Sequence, residues 1–372
     1  MKILFISVYY PAFLESFYRK YGTKIKRLGF QKHRQKLLDE LFGDADFYSD
    51  GVRANEYKAE DIVANDAILQ KKWARERGLK IFDKTDFILK IPYLRFFFNP
   101  DWETKILEEQ IRRYSPDILY FLDIEHFTPK FIRRIKKGRF VVAQKASPVF
   151  RMESFKEADL VFTSFPHFVQ KFRSEGIKSE YLKLAFGERV LKIISKQKKI
   201  YNCTFAGGIT RHHAKGNKIL NEAANEEKLD VFGYGRDNLD KNSKLYKSHH
   251  GEVWGRDMYK VLMQSKMTIN RHINIARGYA NNMRLFEATG SGTLVLTDYK
   301  KNISDFFEED KEIITYKNSR DLIKKIRYYT KHPKEGERIA KAGQQRTLKD
   351  HTYKVRMKEM LDLVLKYYGK SK

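Results

Sequence analysis

Short apolar runs recur along the chain, separated by stretches in which apolar positions return every three or four residues. KILFISV (2–8), DILYFLD (117–123), RFVVAQ (139–144), ADLVFTS (158–164) and SEYLKLA (179–185) predict buried strands. Between them, LLDELFG (37–43), DAILQKKWARERG (66–78) and WETKILEEQIRRY (102–114) predict amphipathic helices. A second series follows the lysine-rich ISKQKKI (194–200). Its strands are NCTFAGG (202–208), KLDVFGYG (228–235), SKMTINRH (265–272), GTLVLTD (292–298) and KEIITYK (311–317), with helices at 215–224, 256–264, 282–289, 318–331 and 333–346. Strand and helix alternating twice over predict an α/β protein of two Rossmann-like, doubly wound parallel-sheet domains, 1–190 and 191–350. The amphipathic segment 351–372 is expected to be a helix packing back on the first domain. Ligands of such sheets bind beyond the carboxyl ends of the strands, which places the expected site in a cleft between the two domains.

Composition narrows this picture. The 372 residues carry 74 Lys and Arg against 47 Asp and Glu, a net charge of +27 that favours phosphate-bearing partners. Cys203 is the single cysteine, which excludes an internal disulfide and a cysteine-built zinc cage and suits a reducing, cytoplasmic compartment. The opening MKILFISVYYPAFLESFY joins a lysine to an apolar run as a signal peptide would. No small-residue cleavage pattern follows, so we read it as the first strand. No apolar stretch approaches the roughly 18 residues that span a bilayer, leaving attachment to a membrane face as the only membrane role expected.

Three segments of the second half stand at predicted strand ends. FAGGITRHHAKGNKIL (205–220) places Gly208, Arg211, His213 and Lys215 between a strand and a helix, where glycine lets the backbone approach a phosphate and cations favour it. The alternative is an ordinary turn with solvated basic residues. FGYG (232–235) is followed by HHGEVWGRDMY (249–259), in which Trp254 could cover a flat base and Glu252 accept hydrogen bonds from base or ribose; packing is the competing role for Trp254. In ARGYANNMRLFEATGSGTLVLTD (276–298) a helix is expected to begin at Asn281 or Asn282, presenting its first amides, with Met283 and Arg284, to an anion. Glu287 lies too far along to cap that helix. It could reach a sugar diol, or pair with Arg284 three residues before it.

GYANNMRLFEATGSGTLVLTDYKKNISDFFEEDKEIITYK, the trailing HPKEGERIAKAGQQRTLKDHTY (332–353) and the HGEVWGRDMY box resemble the C-terminal domain of GT-B glycosyltransferases, specifically the CgeB-like (spore-maturation protein) group. SVYYPAFLESFY (7–18), DADFYSD (44–50) and DIVANDAILQKKWA (61–74) resemble the same group, so the similarity covers most of the chain. The resemblance implies a nucleotide-diphosphate-sugar donor on the second domain and an acceptor on the first, with no bound cofactor. It implies that Glu287 holds the donor ribose, that the backbone of 281–283 lies beside the phosphates and sugar, and that Gly208, Arg211 and Lys215 hold the diphosphate. The chain departs from the pattern at Tyr279, where related enzymes often carry a second glutamate; sugar contacts and stereochemistry are therefore open.

On the acceptor side, DILYFLDIEHFTPKF (117–131) places Asp123, Glu125 and His126 after a strand. His126 could act as a base oriented by Asp123 or Glu125, or one of the three could cap the helix starting near Thr128. Glu15 competes for the same role, and a retaining enzyme needs neither. The one D-x-D match, Asp44-Ala45-Asp46, sits in an expected turn, and the pairs His212–His213 and His249–His250 diverge, so no metal is expected. Basic clusters at 18–36 and 131–140, with KIPYLRFFFNPDW (90–102), fit a membrane-facing surface for a lipid-linked acceptor, a nucleic-acid acceptor, or plain solvated faces. The leading expectation is transfer to a carbohydrate, lipid-linked glycan or protein. A nucleic-acid-directed transferase and a non-catalytic sugar-nucleotide-binding module are the alternatives.

Overall fold

The computed structural model describes residues 1–81 and 101–369 and divides into two compact units. The first comprises Met1–Thr163, His167–Glu180 and Met360–Lys372, and the second Ser164–Pro166 and Tyr181–Glu359. No helix among the described residues is long and apolar enough to cross a membrane. The segment 90–100, half of the expected aromatic-basic surface, lies outside the described residues.

The first unit is built on a six-stranded sheet. Its strands are β1 (Lys2–Ser7), β2 (Lys58–Val63), β3 (Ile118–Phe121), β4 (Phe140–Lys145), β5 (Leu160–Thr163) and β6 (Ser179–Tyr181), in the order β2-β1-β3-β4-β5-β6. Strand β1 runs parallel to both neighbours, with Ile3 opposite Ala59 on one side and Ile118 on the other. Ile3, Leu4, Phe5 and Ile6 are fully buried, as expected of a central strand covered on both faces. The chain passes from β1 to β2 on one side and then to β3 on the other, so the sheet reverses direction between β1 and β3. Loops leave the carboxyl ends of those two strands in opposite directions and open a crevice there.

The second unit repeats the plan with five strands: β7 (Tyr201–Ala206), β8 (Asp230–Phe232), β9 (Ser265–Asn270), β10 (Leu294–Asp298) and β11 (Ile314–Tyr316). Their order is β11-β10-β9-β7-β8, which puts the reversal between β7 and β9. Phe205, Val231, Met267, Ile269, Leu294 and Leu296 form its core with Leu322, Ile326 and Ile339 from the covering helices.

Among the elements that differ from the sequence expectation are a helix and a strand of the first unit. The helix expected at 37–43 instead spans Phe30–Leu38. Glu76 accepts the Phe30 amide at 2.7 Å and holds its start, while Leu41 and Gly43 adopt left-handed conformations that exclude a helix beyond it. Strand β2 was not expected because Lys58, Glu60 and Asp61 break its apolar pattern. Burial costs Asp61 enough to raise its carboxyl to about 7, although Arg34 and a hydrogen bond from Ser49 favour its charged form. The final helix, Tyr353–Tyr368, ends in the first unit, where Tyr367 donates to Glu180 and the Tyr368 ring meets Phe140 edge-on.

Candidate functional site

In the second unit the loops after β7 and β9 meet through one side chain. Arg271, the first residue beyond β9, donates from Nη1 to the His213 carbonyl at 3.0 Å and to Asn217 Oδ1 at 2.5 Å. Its Nη2 donates to the Gly208 carbonyl at 2.8 Å, and its guanidinium lies 4.8 Å from the Phe205 ring centroid. Burial lowers its pKa to about 10, so it stays charged at neutral pH. Every one of these acceptors is a neutral oxygen, and among the described residues no carboxylate forms an ion pair with it. A buried positive charge hydrogen-bonded only to neutral oxygens, with Asp298 acting on it through space alone, favours an anion at the strand ends. Sequence reasoning overlooked Arg271; the polar pair Arg271-His272 directly after an apolar strand was the available signal.

The residues expected to bind phosphate fall around this arginine. Gly208 follows β7, and a Cβ there would lie 2.2 Å from the Tyr234 ring. His213 is half-buried, shares a hydrogen bond with Thr210 Oγ1 at 2.8 Å, and is pushed down to about 4 by burial and then by the Arg271 and His212 charges. It is a neutral imidazole at pH 7. Arg211 and Lys215 are exposed at the start of the helix Ala214–Glu226. That helix approaches Arg271 closely because residue 216 is glycine, where a Cβ would stand 2.6 Å from Arg271 Cδ.

The β8 loop supplies Tyr234, stacked on Trp254 with centroids 5.6 Å apart and planes 11° apart. The Trp254 indole donates to Glu252 at 3.2 Å, and Glu252 is itself exposed. One face of the Trp254 ring is therefore taken by Tyr234, which restricts it as a platform for a base to the other face. Gly233 carries the chain past the β7 loop: its φ is +131°, and a Cβ would sit 2.2 Å from the Gly207 carbonyl oxygen. Gly233→Ala is expected to cost about 2–3 kcal/mol, because backbone rather than a movable side chain is in the way. Urea unfolding of the variant measures it.

The helix expected from Asn281 or Asn282 runs Met283–Gly290. Asn282 is the N-cap: its Oδ1 accepts the Leu285 amide at 3.0 Å, and its Nδ2 donates to Asn270 Oδ1 and the Arg271 carbonyl, both at 2.8 Å. The cap thus fixes the helix start against the end of β9. Asn281 is buried beside it, and Met283 and Arg284 are half-buried in the first turn. Arg284 donates to the Ala206 carbonyl at 2.9 Å, tying the helix to the end of β7, and pairs with Glu287 at 2.7 Å. Glu287 is 6% exposed and also accepts from the Tyr259 hydroxyl at 3.3 Å. The pairing with Arg284 therefore forms; it leaves Glu287 able to accept further hydrogen bonds, since a carboxylate offers about four lone-pair sites. Tyr279, at the departing position, lies under the Lys301 ammonium, 4.0 Å from its ring centroid.

A second pair here escaped sequence reading. His272 Nδ1 lies 2.6 Å from Asp298 Oδ1, and Lys300 reaches the other oxygen at 2.9 Å. Burial alone would raise the Asp298 carboxyl, but His272 and Lys300 bring it to about 2. The pair joins the ends of β9 and β10 and supports the segment that leads into the capped helix.

In the first unit the structure separates the three acidic and basic candidates after β3. Glu125 is buried and fully engaged. It forms an ion pair with Lys145, and one oxygen accepts the Phe150 amide at 2.6 Å and the Arg151 amide at 2.5 Å. With its oxygens so occupied it does not orient His126. That role belongs to Glu103, from the helix Asp101–Tyr114, at 2.7 Å from His126 Nε2. Asp123 is half-buried near His126, while Glu15 is exposed on the helix Pro11–Arg27. None of the three caps the next helix; Thr128 does, accepting the Phe131 amide at 3.3 Å. Among the described residues no group of three or more His, Cys, Asp or Glu is placed to hold a metal ion.

Burial disfavours protonated His126, but the hydrogen bond and charge of Glu103, with Asp123, raise its pKa above the ordinary value. The pair therefore contributes stability fully below about pH 6.5, the unfolded value, and loses it as pH rises through the raised folded value. Glu103→Gln should lower Tm in mild acid and converge on the wild type in alkali, a comparison that calorimetry across pH makes directly.

Residues 211–362 match the family described as Glycosyl transferase-like, a stretch that includes Arg271, the Asn282-capped helix and Glu287. Curated protein sequences contain no match. Sucrose-phosphate synthase from Thermosynechococcus elongatus superposes over 100% of both chains with a TM-score of 0.57 at 9% identity. Anabaena HepE, solved in complex with UDP-glucose, superposes over 98% of this chain and 99% of its own, with a TM-score of 0.58 at 12% identity. A glycosyltransferase from Rickettsia africae covers 98% of both chains, with a TM-score of 0.54 at 13% identity. The two parallel-sheet units give the chain the GT-B fold of these structures, and residues 211–362 carry a glycosyl transferase-like domain.

Proposed function

We propose that the protein transfers a sugar from a nucleotide-diphosphate donor, held by the second unit, to a hydroxyl of a carbohydrate, lipid-linked glycan or protein held by the first, without a metal ion. The observation that carries this reading is the arrangement at the β7–β9 reversal: a buried Arg271 bonded to no carboxylate, beside a helix start capped by Asn282, with Glu287 one and a half turns along. Arg211, Lys215 and the free amides of the first helical turn would stabilise the departing diphosphate, and Glu287 would take the ribose. HepE's complex with UDP-glucose supports a nucleotide-sugar donor, and the quoted motifs support placement in the CgeB-like group.

If the reaction inverts configuration, His126 is the base. Its Nε2–H is committed to Glu103, which leaves Nδ1 to accept the acceptor's proton. The rate should then rise with pH through the raised His126 pKa, and Glu103→Gln should move that limb to lower pH. Cytoplasmic placement, with attachment to the inner face of a membrane, belongs to the same proposal.

A thermal-shift panel of UDP, GDP, ADP, CMP and dTDP, with their sugars, tests the donor. One nucleotide should stabilise the wild type, at moderate salt and in the presence of EDTA. Stabilisation by every polyphosphate alike, vanishing with salt, would show general attraction to the +27 charge and favour the nucleic-acid reading. Dependence on a divalent cation would overturn the metal-free part.

A further inference from the structure

Glu125 presents a problem that general-base chemistry does not solve. A carboxylate and an ammonium are both buried, at a desolvation cost of several kcal/mol per ion. What the pair secures is the position of the loop after β4: the carboxylate accepts the amides of Phe150 and Arg151, and Arg151 donates back to the Glu125 carbonyl. The residue so anchored is Phe150, whose side chain is 76% exposed. A single exposed phenylalanine needs no explanation in general. One whose own amide is held by a buried ion pair, at the ligand-binding end of a parallel sheet, is a different case.

The surroundings indicate what it meets. Phe150 follows β4, and Tyr10, 56% exposed, follows β1. Those two strands flank β3, so the two aromatics stand on the loops of the strands on either side of the one whose loop bears Asp123 and His126. Aromatic faces beside a carboxylate and an imidazole suit a sugar ring, with its apolar C–H face and its hydroxyl rim. A lipid surface would not require a loop fixed to this degree.

We propose that Phe150, positioned by Glu125, is the platform on which the acceptor's sugar ring stacks, so that the acceptor class is a carbohydrate or the glycan part of a glycoconjugate. The inference rests on the reading of the first unit as the acceptor side. Saturation-transfer NMR on the full chain tests it with methyl glycosides of maltose, cellobiose, lactose and N,N′-diacetylchitobiose. At least one should bind, Phe150→Ala should weaken it about tenfold, and Phe150→Tyr should restore it. Glu125→Gln, if Tm shows it folded, should weaken the same saccharide without altering nucleotide binding.

Saccharide binding unmoved by Phe150→Ala, or absent from the whole panel, overturns the proposal. So does loss of binding to phosphatidylglycerol vesicles in Phe150→Ala with saccharide binding unchanged, which would assign the residue to a membrane. Nucleotide stabilisation is measured in the same samples. Its presence without a Phe150-dependent saccharide sinks this inference and leaves the donor reading standing, and the converse sinks the donor reading alone.

Discussion

Arg271→Met is expected to lower nucleotide affinity by about a hundredfold or more and to destabilise the second unit by about 3 kcal/mol. The substitution keeps much of the side-chain volume, so a cavity contributes little. The loss comes from the carbonyls of Gly208 and His213 and the amide oxygen of Asn217, which each lose a charged donor. An unsatisfied buried acceptor costs about 1–3 kcal/mol. At the size of this unit the total corresponds to roughly 10 °C in Tm. Affinity falls for a second reason, because the positive field at the strand ends disappears with the guanidinium. Arg271→Lys separates the two effects: it restores the charge but not the forked geometry, so it should recover part of the affinity and little of the stability. Titration calorimetry with the nucleotide from the thermal-shift panel, alongside Tm, gives both values. Unchanged affinity in Arg271→Met would place the phosphates elsewhere.

The second large effect is expected at Glu287. Two ribose hydroxyls donating to a buried carboxylate should contribute about 2–4 kcal/mol together, or between thirtyfold and a thousandfold in affinity. Glu287→Ala would remove this, but it would also strip Arg284 of its 2.7 Å partner, so a loss in that variant alone is ambiguous. Glu287→Gln resolves the ambiguity, since its amide oxygen can still accept from Arg284 while its NH2 faces the Tyr259 hydroxyl, which can turn to accept. For a carboxylate that binds ribose, Glu287→Gln should weaken the ribonucleotide far more than its 2′-deoxy counterpart while Tm stays near wild type. Equal affinities in wild type and Glu287→Gln, for both nucleotides, would reduce Glu287 to the structural partner of Arg284.

Much of the architecture was legible along the chain. Strands buried on both faces must be continuously apolar, so β1, β3, β4, β7, β9 and β10 announce themselves within a residue or two of their observed ends. The capped helix Met283–Gly290 was equally legible, because an asparagine cap is a local event involving residues three positions apart. Strand β2 was not, since buried Asp61 draws on Ser49 and Arg34, and no local pattern can report a partner so distant in sequence.

The same division runs through the candidate site. Sequence alone determined the fold class, the strand ends that matter and the residue types standing there, because hydrophobic period and backbone capping act over a few residues. Only the tertiary structure decided which charges meet. It gave His126 to Glu103 across 23 residues, bound Glu125 to Lys145 and the 150–151 amides, and sent Arg271 to carbonyls 58 and 63 residues away. The role of an ionisable side chain depends on what neutralises it, and in a parallel sheet those partners arrive on neighbouring strands that are far apart along the chain.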